Sequence, residues 1–254
     1  MTNISAGNCQ FEISCAVFDK DGTLLDFEQA WGARIRTWVD LMVSRTRADE
    51  ALARSFYRVF GYDPVQRQVA IDGPILAASA RTTATLAAGA LYTELGLPWH
   101  EAQVVAAETI KEIFARPLSE DEIRPLGDVQ GAIRRLRDAG VMIAVATSDN
   151  RAITEQILDV LQIRQDVALL ICGDDPLPQK PDPAVLGWIG QELDIDPTSM
   201  LMVGDTINDL LTGRSANAAG CVGISPPNSV GTSVLVRYAD VILNSIDQLQ
   251  VVEN

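Results

Sequence analysis

Short apolar runs of strand length recur along the chain, and several of them end directly before Asp, Gly, Thr or Ser. They cover residues 15–18, 141–146, 167–171, 200–203, 221–224 and 241–243. Nearly continuous apolar runs are typical of strands that are buried on both faces of a parallel sheet. Helix-length segments separate these runs, at 129–139, 151–161, 183–193 and about 207–219. The alternation predicts an α/β fold in which helices cover both faces of a doubly wound parallel sheet.

The alternation stops between residues 27 and 117, where no convincing strand is found and several helices are predicted. Four apolar residues in this stretch share one helical face, and we interpret them as core packing: Trp31, Ile35, Trp38 and Met42. The sequence therefore predicts an α/β core domain of residues 1–26 and 118–254, interrupted by a helical domain at 27–117.

Composition narrows the classes of function. The chain has 254 residues, 47% of them apolar, which is enough for a substantial core. Its formal net charge of −14 argues against a nucleic-acid partner and means that any anionic substrate needs a local source of positive charge. The four cysteines are dispersed and no apolar run is long enough to span a membrane, so we expect a cytoplasmic protein without disulfides. Whether it is a monomer or a homodimer stays open.

The residues after the first run carry the strongest chemical signal. Asp19 and Asp21 lie two residues apart where a strand opens into a turn at Gly22. In an open parallel sheet ligands bind at the carboxyl ends of the strands, so both carboxylates are expected in the binding crevice. Taken alone, the same residues also suit an Asx-rich turn.

Further polar residues follow the later strands and are expected at the same edge of the sheet. They are Thr147 and Ser148, Lys180 in a Lys-Pro-Asp-Pro segment, and the pair Asp205 and Asp209. Four carboxylates beside one lysine require a compensating cation, because clustered buried charges of one sign are strongly unfavourable. Oxygen ligands alone are typical of Mg²⁺ rather than zinc, so Mg²⁺ is the expected cofactor.

In this order, the four segments D-K-D-G-T-L, T-S, K-P-D-P and G-D-T-I-N-D resemble the motifs of the haloacid-dehalogenase-like (HAD) phosphohydrolase superfamily. The resemblance implies a Rossmann-like core with strand order 5-4-1-2-3 and a helical cap that closes over the site. It implies that Asp19 is the phosphorylated nucleophile and Asp21 the general acid/base. Mg²⁺ is then expected on Asp19, the Asp21 carbonyl and Asp205, with Asp209 in the outer shell. The expected phosphate-binding residues are Gly22, Thr147, Ser148 and Lys180.

One departure from the family pattern concerns Ser148, because many relatives have Asn at that position and the shorter serine changes the reach of the side chain.

Within the superfamily, Asp21 favours a phosphate ester, since an alkoxide leaving group needs a proton. The chain looks most like the phosphoglycolate-phosphatase-like branch, which implies a small phosphorylated metabolite as substrate. Two alternatives stay open: a phosphomutase of the β-phosphoglucomutase type, and a non-enzymatic phospho-acceptor like a response-regulator receiver.

Residues in the insertion are expected to set substrate specificity. The turn-forming segment around Asp72 and Gly73 is a candidate for the loop that faces the crevice. Arg81 is the best cationic candidate for a substrate carboxylate. The only histidine, His100, is assigned no catalytic role.

Overall fold

The computed structural model describes residues 1–227 and 229–252. Within these residues the strands are β1 Thr2–Ala6, β2 Cys9–Ile13, β3 Cys15–Phe18, β4 Tyr62–Asp63, β5 Gln68–Val69, β6 Met142–Ala146, β7 Leu169–Ile171, β8 Met200–Gly204, β9 Gly220–Ile224, β10 Val241–Leu243 and β11 Leu249–Val251. The α-helices are α1 Ala33–Thr46, α2 Glu50–Phe60, α3 Pro74–Ala77, α4 Ala80–Leu95, α5 Trp99–Phe114, α6 Val129–Asp138, α7 Arg151–Val160, α8 Ala184–Leu193, α9 Ile207–Ser215 and α10 Thr232–Leu235.

A six-stranded parallel sheet forms the centre of the molecule, in the order β10-β9-β8-β3-β6-β7. All six strands that the apolar runs predict are present. The first five of them have the order 5-4-1-2-3, and the sixth, β10, lies outside the fifth. The predicted α/β class and the central position of the first core strand are therefore confirmed.

Helices cover both faces of this sheet. Successive residues of β3 point to opposite faces, so Ala16 and Phe18 join one core cluster while Cys15 and Val17 join the other. Helices α6 and α7 pack on the first face, and α8 and α9 pack on the second. Burial on both faces explains why the strands have continuous rather than alternating apolar sequences.

The insertion consists mainly of helices, as the sequence predicts. Helix α2 begins after Asp49, whose carboxylate accepts a hydrogen bond from Ala51 N at 2.8 Å, and it ends at Gly61 in the left-handed region. The predicted apolar stripe is buried, and Trp38 stacks on Phe60 with ring centroids 4.9 Å apart. The two-residue strands β4 and β5 pair within this region and were not expected from the sequence.

A second sheet of three antiparallel strands, in the order β11-β1-β2, was also not expected. Its two N-terminal strands alternate polar and apolar residues: Ile4 and Ala6 are buried on β1, and Phe11 and Ile13 on β2. This period of two is typical of a half-buried antiparallel pair, so the signal was present. Continuous apolar runs identify only strands that are buried on both faces, so they do not reveal this alternating pair.

The insertion and the core are joined by a buried arginine. The Arg34 guanidinium on α1 donates to the carbonyl oxygens of Arg116 at 2.6 Å and Pro117 at 2.8 Å, where the chain returns to the core. It also pairs with Glu122 at 3.1 Å. These bonds hold the beginning of the insertion against its end.

No helix in the described part of the chain is long and apolar enough to cross a membrane.

Candidate active site

The register of the central strands brings the predicted site residues together. Phe18 at the end of β3 pairs with Val145 on β6 and with Val203 on β8. The residues that follow these three strands therefore lie at the same level, at the carboxyl edge of the sheet. Asp19 continues this arrangement, because its N–H donates to the Val203 carbonyl oxygen at 2.9 Å.

Lys180 lies at the centre of the charged cluster. Its Nζ is 2.5 Å from Asp19 Oδ1 and 2.5 Å from Asp209 Oδ1. Both aspartates are buried, and the Lys180 side chain is only 6% exposed. Asp209 Oδ2 accepts from the N–H of Thr206 at 2.9 Å and from its hydroxyl at 2.6 Å, in the capping box that begins α9. Both oxygens of Asp209 are therefore engaged, which suits a carboxylate that orients Lys180.

Gly22 makes room for Asp205. Its φ is 84°, in the left-handed region, and a Cβ at this position would overlap the Asp205 carboxylate. The buried Thr23 hydroxyl lies 3.3 Å from Asp205 Oδ1. The glycine turn therefore lets the end of β8 approach the first motif closely.

Three buried carboxylates form a candidate metal site. One oxygen each of Asp19, Asp205 and Asp209 lies within 4.8 Å of the others. Hard divalent cations prefer such oxygen donors. The residues present therefore fit a divalent metal ion.

The electrostatics of the cluster point in the same direction. Burial raises the pKa of Asp19 to about 7, although Lys180 works in the opposite direction. Burial, together with the nearby carboxylates of Asp19 and Asp209, raises the pKa of Asp205 well above its usual value. Burial alone would lower the pKa of Lys180, but its two aspartate partners outweigh this and raise it. The cluster is thus short of positive charge, and a bound cation would keep its carboxylates ionised.

A second group of charges surrounds Asp21. Its Oδ1 accepts a hydrogen bond from the Trp31 indole N–H at 2.7 Å, and its Oδ2 accepts one from Lys20. Lys20 is fully buried and lies 3.2 Å from Asp149 Oδ2. Burial alone would lower the pKa of Lys20, but the carboxylates of Asp21 and Asp149 raise it above its usual value.

The sequence reasoning missed Lys20, Trp31 and Asp149 as members of this group. The sequence motif assigns no role to Lys20, and the helical pattern predicts packing alone for Trp31. Trp31 does stack on Phe114, with ring centroids 5.9 Å apart, so that interpretation holds but is incomplete. The signal in the sequence was a lysine between the two aspartates of the first motif, together with Asp149 after the second core strand. A buried lysine needs a charged partner, so these residues could have been paired.

The site opens into a cavity of about 110 Å³ with two chemically different walls. We call the strand-end residues the floor: Asp19, Asp21, 147–149, Lys180, Thr206 and Asn208. We call the wall from the insertion the roof; it consists of the lining residues within 27–35, 75–83 and 110–114. The predicted residues Thr147 and Ser148 both line the floor, and the Thr147 N–H donates to the Ile171 carbonyl oxygen at 3.0 Å.

The three predicted specificity residues lie outside this cavity. Asp72 is exposed, and Gly73 packs against the Ala70 carbonyl. The preceding residue, Ile71, donates its N–H to the Val230 carbonyl oxygen at 3.2 Å, which fixes the loop against the core. Arg81 is exposed and lines a neighbouring cavity. The part of the roof nearest to them in sequence is formed instead by residues between Ile75 and Thr83.

Comparisons with known proteins agree with this architecture. Residues 13–217 match the family of haloacid dehalogenase-like hydrolases. The phosphoglycolate phosphatase of Escherichia coli O157:H7 is 26% identical over 246 residues, which cover 94% of this chain and 91% of that protein.

Two solved structures share the fold. A predicted phosphoglycolate phosphatase from Haemophilus somnus superposes with a TM-score of 0.67 at 17% identity, covering 92% of this chain and 95% of the other. CbbY from Rhodobacter sphaeroides, solved in complex with phosphate, gives a TM-score of 0.58 at 18% identity, covering 92% and 95%. The family match extends over most of the sequence and includes the strands that carry the charged cluster. The chain therefore belongs to the haloacid dehalogenase-like hydrolase family.

Proposed function

We propose that the protein is a Mg²⁺-dependent phosphatase that hydrolyses a small phosphate monoester through an aspartyl phosphate on Asp19. The observation that carries this proposal is the position of Asp19. It lies at the end of the central strand, bound to Lys180 and within metal-binding distance of Asp205. The related proteins named phosphoglycolate phosphatase support the same reaction class and make 2-phosphoglycolate the first ester to assay.

In the first step a carboxylate oxygen of Asp19 attacks phosphorus and forms a new O–P bond. The bond from phosphorus to the ester oxygen breaks, and Asp21 gives that oxygen a proton, so the alcohol leaves neutral. Lys180 stabilises the charge on the Asp19 carboxylate and the phosphoryl oxygens, while the hydroxyls of Thr147 and Ser148 offer hydrogen-bond donors. The N–H of Gly22, which the sequence also assigns to phosphate binding, donates to the Leu25 carbonyl oxygen at 2.8 Å.

In the second step water attacks the same phosphorus atom. Asp21, now ionised, takes a proton from this water, the aspartyl O–P bond breaks, and inorganic phosphate leaves. The hydrogen bonds from Trp31 and Lys20 hold the Asp21 carboxylate at the cavity wall for both proton transfers.

The residues that would hold Mg²⁺ are Asp19, Asp205 and the backbone carbonyl of Asp21, with Asp209 acting through Lys180. The metal supplies electrostatic stabilisation of the transferring phosphoryl group. We propose that the helical region 27–117 is a cap domain whose roof covers the reacting ester and limits the access of bulk water.

The test is a panel of phosphate monoesters assayed for phosphate release with Mg²⁺, with excess EDTA, and with the Asp19→Asn variant. We expect turnover of at least one ester, abolished by EDTA and by the substitution. Acid quench with labelled ester should trap label on the wild-type protein and none on Asp19→Asn. Transfer of the trapped group to a sugar phosphate faster than to water would instead support the phosphomutase alternative.

A further inference from the structure

If the protein is the phosphatase proposed above, the cavity also restricts what its substrate carries besides phosphate. We infer that the substrate is the phosphate monoester of an uncharged, largely apolar alcohol or phenol, with no carboxylate near the ester. The inference rests on the contrast between the floor and the roof.

The roof offers almost only apolar surface. Its lining residues include Ile75, Leu76, Ile110 and Phe114. The hydroxyl of Thr83, which also lines it, donates to the Ser79 carbonyl oxygen at 3.1 Å. The other side-chain donor on this wall, the Trp31 indole N–H, is engaged by Asp21. The substrate group that extends from the phosphate therefore meets mainly carbon atoms and, among the described residues, no free side-chain hydrogen-bond donor of the roof.

Among the described residues, no basic side chain of the insertion lines this cavity. Arg34 is buried and bound to Glu122 and to two carbonyl oxygens. Arg67 and Arg81 each line a different cavity, and neither lines the active-site cavity. Leu76 lines both the active-site cavity and that of Arg67, and Phe114 lines both the active-site cavity and that of Arg81. A carboxylate in the active-site cavity would therefore have no partner on the roof.

The floor makes a carboxylate still less favourable. Its one lysine, Lys180, is paired with Asp19 and Asp209 and is needed for the phosphoryl group. Lys20 is fully buried, does not line the cavity and is paired with Asp21 and Asp149. A second substrate anion would lose its hydration beside several carboxylates and gain no ion pair. An apolar group would instead gain from leaving water.

The experiment compares esters that are matched in shape and differ in charge. Isobutyl phosphate is compared with 2-phosphoglycolate, and 4-isopropylphenyl phosphate with 4-carboxyphenyl phosphate. We expect kcat/KM to be about tenfold or more higher for the apolar member of each pair, the scale on which apolar pockets discriminate. The aryl pair is the stricter test, because its carboxylate makes the phenol the better leaving group.

A gain of charge on the roof should remove most of the preference for the apolar ester. Leu76→Arg supplies the missing cation, so its ratio of apolar to carboxylate ester should fall by about tenfold or more. The matched control is Leu76→Met, which keeps an apolar side chain and should keep the ranking. Ala78→Arg with the control Ala78→Leu repeats the test from a second lining position if Leu76→Arg fails to fold, as judged by thermal melting.

The outcomes separate the inference from the proposed function. No turnover of any ester by wild type would overturn the phosphatase activity and the substrate class with it. Turnover in which the carboxylate members are equal or better would leave the phosphatase in place and overturn the substrate class. A selective loss of the carboxylate members in Arg81→Ala or Arg67→Ala would also overturn it, since those arginines would then reach the substrate. Unchanged ratios of apolar to carboxylate ester in Arg81→Ala and Arg67→Ala would support the inferred substrate class.

Discussion

The floor of the cavity comes from loops that follow parallel strands, whereas the roof comes from helices of the insertion. The floor contains aspartates and a lysine whose partners lie in neighbouring strand-end loops. The roof contains aliphatic and aromatic side chains that also pack into the insertion's own core. The floor is thus suited to act on the phosphate that every substrate shares, while the roof is suited to select the group attached to it.

One residue, Trp31, contacts both the floor and the roof, and we call it the crossing point. Trp31 belongs to the roof and stacks on Phe114, yet its N–H donates to Asp21 on the floor. A change confined to the floor should therefore affect every ester, a change confined to the roof should affect their ranking, and a change at Trp31 should do some of both.

The largest effects are expected from the two aspartates of the first motif. Asp19→Asn should lower kcat for every ester by about 10⁴-fold or more, because the nucleophile is lost. Asp21→Asn should lower it by about 10² to 10⁴-fold, more for alkyl than for aryl esters, since a phenolate leaves with little protonation. Steady-state rates on both ester types and rapid-quench trapping of label check this. Equal losses for alkyl and aryl esters in Asp21→Asn would contradict the assignment of the general acid.

The next effect concerns the metal. Asp205→Asn should raise the Mg²⁺ concentration needed for half-maximal activity at least about tenfold, the loss seen even for residues that only orient a metal ligand. Mg²⁺ titration of activity and calorimetry of Mg²⁺ binding measure it. Asp182→Asn is the matched control: it removes the same charge from the exposed end of the loop before α8, and asparagine can keep its cap on Ala184. A similar shift in both variants would mean that general charge, rather than ligation, is responsible.

A smaller effect is expected at the crossing point. Trp31→Phe removes the N–H donor to Asp21 and keeps an aromatic ring against Phe114. A hydrogen bond to a charged group is worth about 1.5 to 3 kcal/mol, so kcat should fall about ten- to hundredfold, again more for alkyl esters. Trp38→Phe is the control, because its lost N–H bonds Thr109 inside the insertion. If Trp38→Phe shows the same dependence on the leaving group, the effect belongs to packing and not to Asp21.

The smallest effect on activity is expected where the insertion joins the core. Hydrogen bonds from Arg34, Ser119 and Arg116 outweigh the effect of burial and lower the pKa of Glu122 to about 2. Because this pKa is lower in the folded state, the stabilisation is complete above the unfolded value and is lost as pH falls from about 5 toward 2.

Glu122→Gln should therefore lower the free energy of unfolding by about 1 to 2 kcal/mol at pH 7 and by less at pH 4, while leaving kcat/KM nearly unchanged. Urea unfolding at both pH values tests this. Glu120→Gln, in the same turn but exposed, should cost little at either pH. A loss in Glu122→Gln that is the same at pH 7 and pH 4 would contradict the linkage.

The sequence predicts the floor better than the roof for a physical reason. A strand that is buried on both faces can be predicted from its continuous apolar sequence. The residues that follow parallel strands of one sheet meet at the same edge, so Asp19, Thr147 and Asp205 could be grouped from the sequence. Side-chain contacts inside this group depend on burial that composition does not reveal. The pairing of Lys20 with Asp21 and Asp149 was missed for that reason.

The roof depends on how helices cross, and helical periodicity indicates which face is buried but not what it is buried against. The turn-forming residues around Asp72 predict a loop that faces the crevice. The backbone hydrogen bond from Ile71 N–H to the Val230 carbonyl oxygen holds that loop against the core instead. The roles of Asp72, Gly73 and Arg81 in specificity accordingly stay predictions from sequence, to be judged by the ester ratios.

The contact between the Trp31 indole and the Asp21 carboxylate also gives the molecule an intrinsic optical probe. Indole emission responds to a charged acceptor on its N–H, and this acceptor is the group that gains and loses a proton in the proposed cycle. The chain has three other tryptophans, so a variant with Phe at those positions would leave Trp31 as the sole emitter. Stopped-flow fluorescence of that variant would follow the proton-transfer group through a turnover without any label.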